Sequence, residues 1–163
     1  MQIFIRSVVT SLFLAAAAGF TASAQSFDEP STDRGRYLIR ITGCNDCHSA
    51  GFAASGGQLP ESEWLKGDRL GWRGDWGTTY APNLRLTLSE MTEDQWVFFA
   101  RNLQSRPPMP SFNVNVMTET DLRSMYRFVR QLQPLGEPAP AYVPPDQEPN
   151  PPYVTFPADP KAH

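Results

Sequence analysis

"GCNDCHSAG", residues 43–51, holds both cysteines of the chain and one of its two histidines. Cys44 and Cys47 are three apart, and His48 follows at once. A dithiol redox pair uses that spacing, but in a βαβ setting. Here a short helical pattern precedes the motif and an irregular stretch follows it. A structural zinc wants four nitrogen or sulfur donors. The only further candidate is His163, distant and set in a Pro-rich segment. The remaining chemistry is C-x-x-C-H, the attachment pattern of c-type haem. Two thiols add across the two vinyl groups of haem, and the spacer between them matches the vinyl separation. The residue after the second thiol then lies under the iron. On this reading Cys44 and Cys47 attach one haem c covalently, and His48 is the proximal axial ligand of its iron.

A second axial ligand must come from elsewhere. Met1 belongs to the leader described below, Met91 and Met117 each precede a helix cap, and Met125 lies on an apolar helical stripe. Met109 sits in "RPPMPSF" between Pro108 and Pro110, where the prolines rule out helix and stiffen the backbone. A rigid extended segment can hold a thioether over an iron, so Met109 is the expected distal ligand, with Met117 next. Methionine–histidine ligation raises the reduction potential and suits electron transfer over oxygen chemistry.

The flanking sequence has three helical patterns. The first covers about residues 33–43, capped by Ser31, Thr32 or Asp33, with Tyr37, Leu38 and Ile41 on one side. The second begins after Thr92, where "TEDQ" makes a capping box with Gln95. Trp96, Phe99, Ala100 and Leu103 follow at helical spacing, and the pattern must end before Pro107. The third begins after Thr118, with Asp121 in the reciprocal capping position. Leu122, Met125, Tyr126, Val129 and Leu132 form its stripe, and Pro134 and Gly136 end it. Residues 51–90 carry no strong helix or strand pattern and are rich in Gly and Trp. A loop of that length inside a small domain usually wraps a ligand.

The ends of the chain differ from its middle. Residues 1–24 carry one early charge, Arg6, then a largely apolar run over residues 8–20, and close on Ala22-Ser23-Ala24. That run is 13 residues long, against the roughly 20 that a membrane span needs. It reads as a secretory signal peptide cleaved near Ala24, which places the mature protein in the periplasm. Cleavage removes only Arg6 among the charges, so the formal charge moves from −3 to −4. No basic stripe is present, which argues against nucleic acid as a partner. The acidic balance argues against direct electrostatic docking to an anionic membrane, leaving membrane contact to partners. Residues 25–133 form the domain, after a polar lead-in. Residues 134–163 hold 10 of the 16 prolines and must be extended. Tyr142, Tyr153 and Phe156 in this tail favour a strap packed on the domain over a free linker.

The order helix, CxxCH, irregular loop, helix, "MP", final amphipathic helix resembles a monohaem class I cytochrome c domain over residues 31–133. More narrowly, "GTTYAPNL" (77–84) is similar to the haem domains of periplasmic cytochromes that serve bacterial alcohol, aldehyde and sugar-acid dehydrogenases. Such proteins often carry three haem domains, whereas this chain has one CxxCH. The resemblance implies an all-α fold of three main helices around one covalent haem, with a long irregular loop and an extended Pro-rich tail. It implies that the first and last helices cross, with Gly35 and Tyr37 meeting Tyr126 and Val129. Donors for the haem propionates are expected in the loop, where Arg73, Arg85, Trp72, Trp76, Tyr80 and Asn83 are candidates. The implied function is a periplasmic electron carrier rather than an enzyme. It would take single electrons from a donor such as a dehydrogenase and pass them to an oxidase or another cytochrome. Two rivals stand beside it: a haem protein with an open sixth site for gas or peroxide, and a fixed haem subunit of a dehydrogenase complex.

Overall fold

The computed structural model describes residues 29–157. The leader and its cleavage point, and His163, lie outside the described residues. Ten elements follow in order: α1 (Thr32–Ile41), α2 (Cys44–His48), a 3-10 turn (Glu61–Glu63), β1 (Gly71–Gly74), β2 (Gly77–Tyr80), α3 (Leu84–Ser89), α4 (Glu93–Arg101), α5 (Ser111–Asn115), α6 (Glu119–Gln131) and β3 (Tyr153–Thr155).

The three helical patterns are present as α1, α4 and α6, and their caps explain their starts. The Ser31 side chain accepts from Arg34 N–H, Thr92 and Gln95 form a complete capping box, and Thr118 accepts from Asp121 N–H. The buried faces differ in detail from the sequence reading. In α1 it is Leu38 and Ile39 that face inward, while Tyr37 and Ile41 are more than half exposed. In α4, Trp96 and Ala100 are buried as the spacing predicts, joined by Val97, and Phe99 turns toward solvent. In α6, Leu122, Met125 and Val129 are buried together with Phe128 and Ser124.

α1 and α6 do cross at Gly35, but against Ser124 and Phe128 rather than Tyr126 and Val129. A Cβ on Gly35 would collide with the Ser124 backbone and fall 2.8 Å from Phe128 Cβ. Only a residue without a side chain permits that approach. Phe52, Trp64 and Phe128 extend the core in an edge-to-face series, with ring centroids 5.8 and 6.1 Å apart, a preferred aromatic geometry.

The crossing is closed by an ion pair. Arg34 Nε donates to Asp121 Oδ1 at 2.6 Å, and both side chains are mostly buried. Burial pushes the Asp121 carboxyl up, but donation from Arg34 and Thr118 outweighs it and holds the carboxyl below its ordinary range. A depressed carboxyl stabilises the fold above its unfolded pKa of about 3.9, and that contribution is lost as pH falls through the folded value. Asp121→Asn is therefore expected to cost about 1–2 kcal/mol at neutral pH and to flatten the acid limb of stability below about pH 4. Urea midpoints measured between neutral and acid pH check both; an unchanged acid limb would count against the pairing.

The all-α expectation is overturned. The fold is mixed α/β, with a three-stranded mixed sheet in the order β2-β1-β3. β1 and β2 form an antiparallel hairpin in which Gly74 pairs Gly77 across Asp75 and Trp76. A positive φ of 92° at Gly77 suits glycine in this turn. β3 comes from the Pro-rich tail and runs parallel to β1, pairing Gly71 with Tyr153 and Arg73 with Thr155. The prolines do not block it because they flank the pairing: Gly71 N–H donates to Pro152 O and Phe156 N–H to Arg73 O. Trp72 and Trp76 close over Phe156, at 5.9 and 5.4 Å between centroids. The tail is thus bound to the domain through residue 156, and Val143 also pairs with Thr78.

Candidate functional site

The CxxCH motif is a turn of helix. Gly43, with φ of 74°, lets the chain leave α1 and begin α2 one residue later. Cys44 and Cys47 lie three apart on that turn, both free and half-buried. Burial pushes both thiols up and the Asp46 carboxylate adds to it; at Cys44 donation from Thr42 opposes the shift.

His48 is set differently. It is 6% exposed, and its Nδ1 lies 2.8 Å from Pro82 O. A carbonyl can only accept, so Nδ1 carries the proton and the Nε2 lone pair is free. Burial lowers the imidazole pKa and the Pro82 bond opposes it, with burial prevailing, which keeps the ring neutral. A neutral imidazole oriented by a backbone carbonyl through one nitrogen, with the other free, is the form that ligates metals.

Two residues that the sequence reading passed over, Asn45 inside the motif and Ser49 just after it, hold α2 in place. Ser49 Oγ donates to Asn45 Oδ1 and accepts from Leu65 N–H, each at 2.7 Å, and all three residues are buried. Leu65 pays for its place with a φ of 61°, a left-handed conformation that costs about 1–2 kcal/mol for a residue with a Cβ. Gly67 N–H then donates to His48 O at 2.8 Å. A Cβ on Gly67 would fall 2.8 Å from Asn83 N, so the 65–67 segment lies tightly between α2 and the start of α3.

The loop that carries Met109 is tied to β2. Thr79 Oγ1 in β2 donates to Pro107 O at 2.8 Å. Three residues further along the same run, Pro82 O holds His48. One stretch of chain, 79–82, therefore tethers both His48 and the loop that carries Met109. Cys44, Met109 and Met117 all pack half-buried against one core. Met125 is 4% exposed within that core.

The loop donors divide sharply. The buried guanidinium of Arg85 is committed to main-chain oxygens: Nε to Trp64 O, one terminal nitrogen to Leu132 O, and the other to Glu61 O and Ser62 O, at 2.7–3.1 Å. Asn83 caps α3 through Oδ1 and donates through Nδ2 to Leu135 O and Glu137 O. Both are thus structural clamps. Arg73 turns to the tail, bonding Gln147 O and pairing with Glu148. Tyr80 lines a cleft of about 300 Å³ with Arg69 and tail residues 140–151. Trp72 and Trp76 are otherwise: among the described residues each has a buried indole N–H with no acceptor, and Thr78 Oγ1 and Asn45 Nδ2 are likewise unpartnered. Buried donors are rarely left so.

Among the described residues no three of His, Cys, Asp and Glu converge as a cation cage. A haem needs none, because its porphyrin supplies four of the six iron ligands. The free thiols and the oriented neutral imidazole fit that group. Among the described residues no helix is long and apolar enough to cross a membrane. No protein-family model, curated protein or solved structure matches this chain.

Proposed function

We propose that this protein is a periplasmic c-type haem protein that carries single electrons from a donor such as a dehydrogenase to a respiratory acceptor. The observation that carries the reading is His48. It is buried and neutral, fixed through Nδ1 by Pro82 O, and placed directly after two free thiols on one helical turn. Haem, when bound, supplies an iron that alternates between ferric and ferrous states.

The residues do the rest. Cys44 and Cys47 hold the group as thioethers, so it cannot dissociate between partners. His48 Nε2 and Met109 Sδ would be the protein ligands of its iron, which would close it to oxygen and peroxide. Asn45, Ser49 and Leu65 keep α2 from shifting as charge changes. His48 is itself buried from water, while the partly exposed Cys47 leaves that side near the surface for transfer. No side chain is asked to make or break a substrate bond. Docking to partners is brief, over a small interface.

The test is an absorption spectrum of the exported protein, oxidised and reduced, beside that of Met109→Ala. The wild type is expected to show covalent low-spin haem with the weak red band of sulfur ligated to ferric iron. Met109→Ala is expected to keep its haem, lose that band and gain carbon monoxide binding. A wild type without the band that binds carbon monoxide would mean an open sixth site, and the electron-carrier reading would fall.

A further inference from the structure

The loop bearing Met109 is weakly held by its own chemistry. Pro107, Pro108 and Pro110 have no N–H to donate, and the loop lies outside any helix or strand. Among the described residues two directed contacts tie residues 104–108 to the rest of the chain. One is Thr79 Oγ1 donating to Pro107 O. The other comes from the tail: the Arg106 guanidinium carbon lies 3.9 Å from the ring centroid of Tyr142, well inside the range of a cation–π contact.

Tyr142 is itself anchored. Its hydroxyl donates to Trp76 O at 2.9 Å. The next residue, Val143, exchanges both backbone bonds with Thr78, at 2.8 and 3.0 Å. Gly77 makes room for this, since a Cβ there would fall 2.8 Å from Tyr142 Cε2. The tail, the hairpin and the Met109 loop therefore form a closed ring of contacts. Thr79 secures the loop at Pro107, and Tyr142 secures it one residue earlier.

We propose that Tyr142 is a positioning residue for Met109: the ring of a tail residue holds Arg106, and through it the proline-rich loop, against the hairpin. This rests on the reading of Met109 as an axial ligand. Ligation by a thioether is weak and depends on where the backbone puts the sulfur, so a clamp two to three residues away sets how often the sixth position is closed. The tail thereby acts on the iron without touching it.

The test uses the full-length haem protein with Tyr142→Ala and Tyr142→Phe. Phenylalanine keeps a ring under Arg106 and loses only the hydroxyl. Both variants are expected to retain covalent haem. In Tyr142→Ala the sulfur–iron band weakens, and carbon monoxide affinity of the reduced protein rises about two- to fivefold, the scale of a cation–π contact at an exposed site. Tyr142→Phe stays close to wild type. An alanine variant with the wild-type band and wild-type carbon monoxide affinity overturns the proposal. Amide hydrogen exchange separates this from failure of the haem reading. The Ser111 amide, which donates to Met109 O at the end of the loop, is expected to exchange about two- to fivefold faster in Tyr142→Ala, with α6 unchanged. A wild type lacking the sulfur band sinks the ligand assignment; unchanged loop exchange sinks the clamp, whatever the haem does.

Discussion

Arg85→Met is expected to lower stability by about 3 kcal/mol or more, because four main-chain carbonyls lose their donor at once. The guanidinium is almost fully buried and joins parts of the chain that are far apart in sequence. Glu61 O, Ser62 O and Trp64 O belong to the segment after the CxxCH motif, and Leu132 O belongs to the end of α6. The Trp64 carbonyl is sealed from solvent and keeps the full cost of its lost partner, while the others regain water in part. Methionine fills most of the volume, so the loss measures hydrogen bonding rather than a cavity. Arg85→Lys keeps the charge but gathers its donors at one point, and cannot span carbonyls arranged around a planar fork. It is expected to fall between wild type and Arg85→Met. Urea midpoints at neutral pH read the series, and a methionine variant within about 0.5 kcal/mol of wild type would refute this account.

Replacing both Cys44 and Cys47 by alanine is expected to abolish covalent haem, with no haem retained through a denaturing gel. The single variants are expected to keep one thioether and a shifted reduced absorption band, since each thiol saturates a different vinyl. Folding itself should change little. The thiols are half-buried and make no disulfide, and α2 is held by Asn45, Ser49 and the Pro82 bond to His48. Circular dichroism of the double variant checks that part. A double variant that still carries covalent haem would remove these cysteines from the attachment chemistry.

How far the sequence could be read depended on how local each signal was. α4 and α6 were legible because their caps and apolar spacing lie within one stretch of chain. In α1 the cap was legible but the inward face was not, because the choice of Ile39 over Ile41 is made by the crossing at Gly35. The hairpin was hidden by its brevity: β1 and β2 are four residues each, with glycines among them, too few for alternation to register. β3 was hidden by composition, since prolines at 151, 152 and 157 mask three strand-forming residues between them. Arg85 and Asn83 looked like ligand donors because only their type and position were visible. The carbonyls that occupy them come from residues 61–64 and 132–137, which no local pattern brings near. The thiols and His48 could be named from five letters, whereas the carbonyl orienting the imidazole sits 34 residues away.

The pairing of β1 with β3 has a consequence for how the chain is made. Gly71 and Tyr153 are separated by 82 positions, so β1 emerges from synthesis long before its parallel neighbour exists. During that interval one side of the hairpin is an open row of peptide groups, a template for another chain. Contacts of such separation also form late, after the helices have met. Chains cut short before residue 153 would keep their helices and motif yet carry that open row permanently, and would be prone to stick to one another.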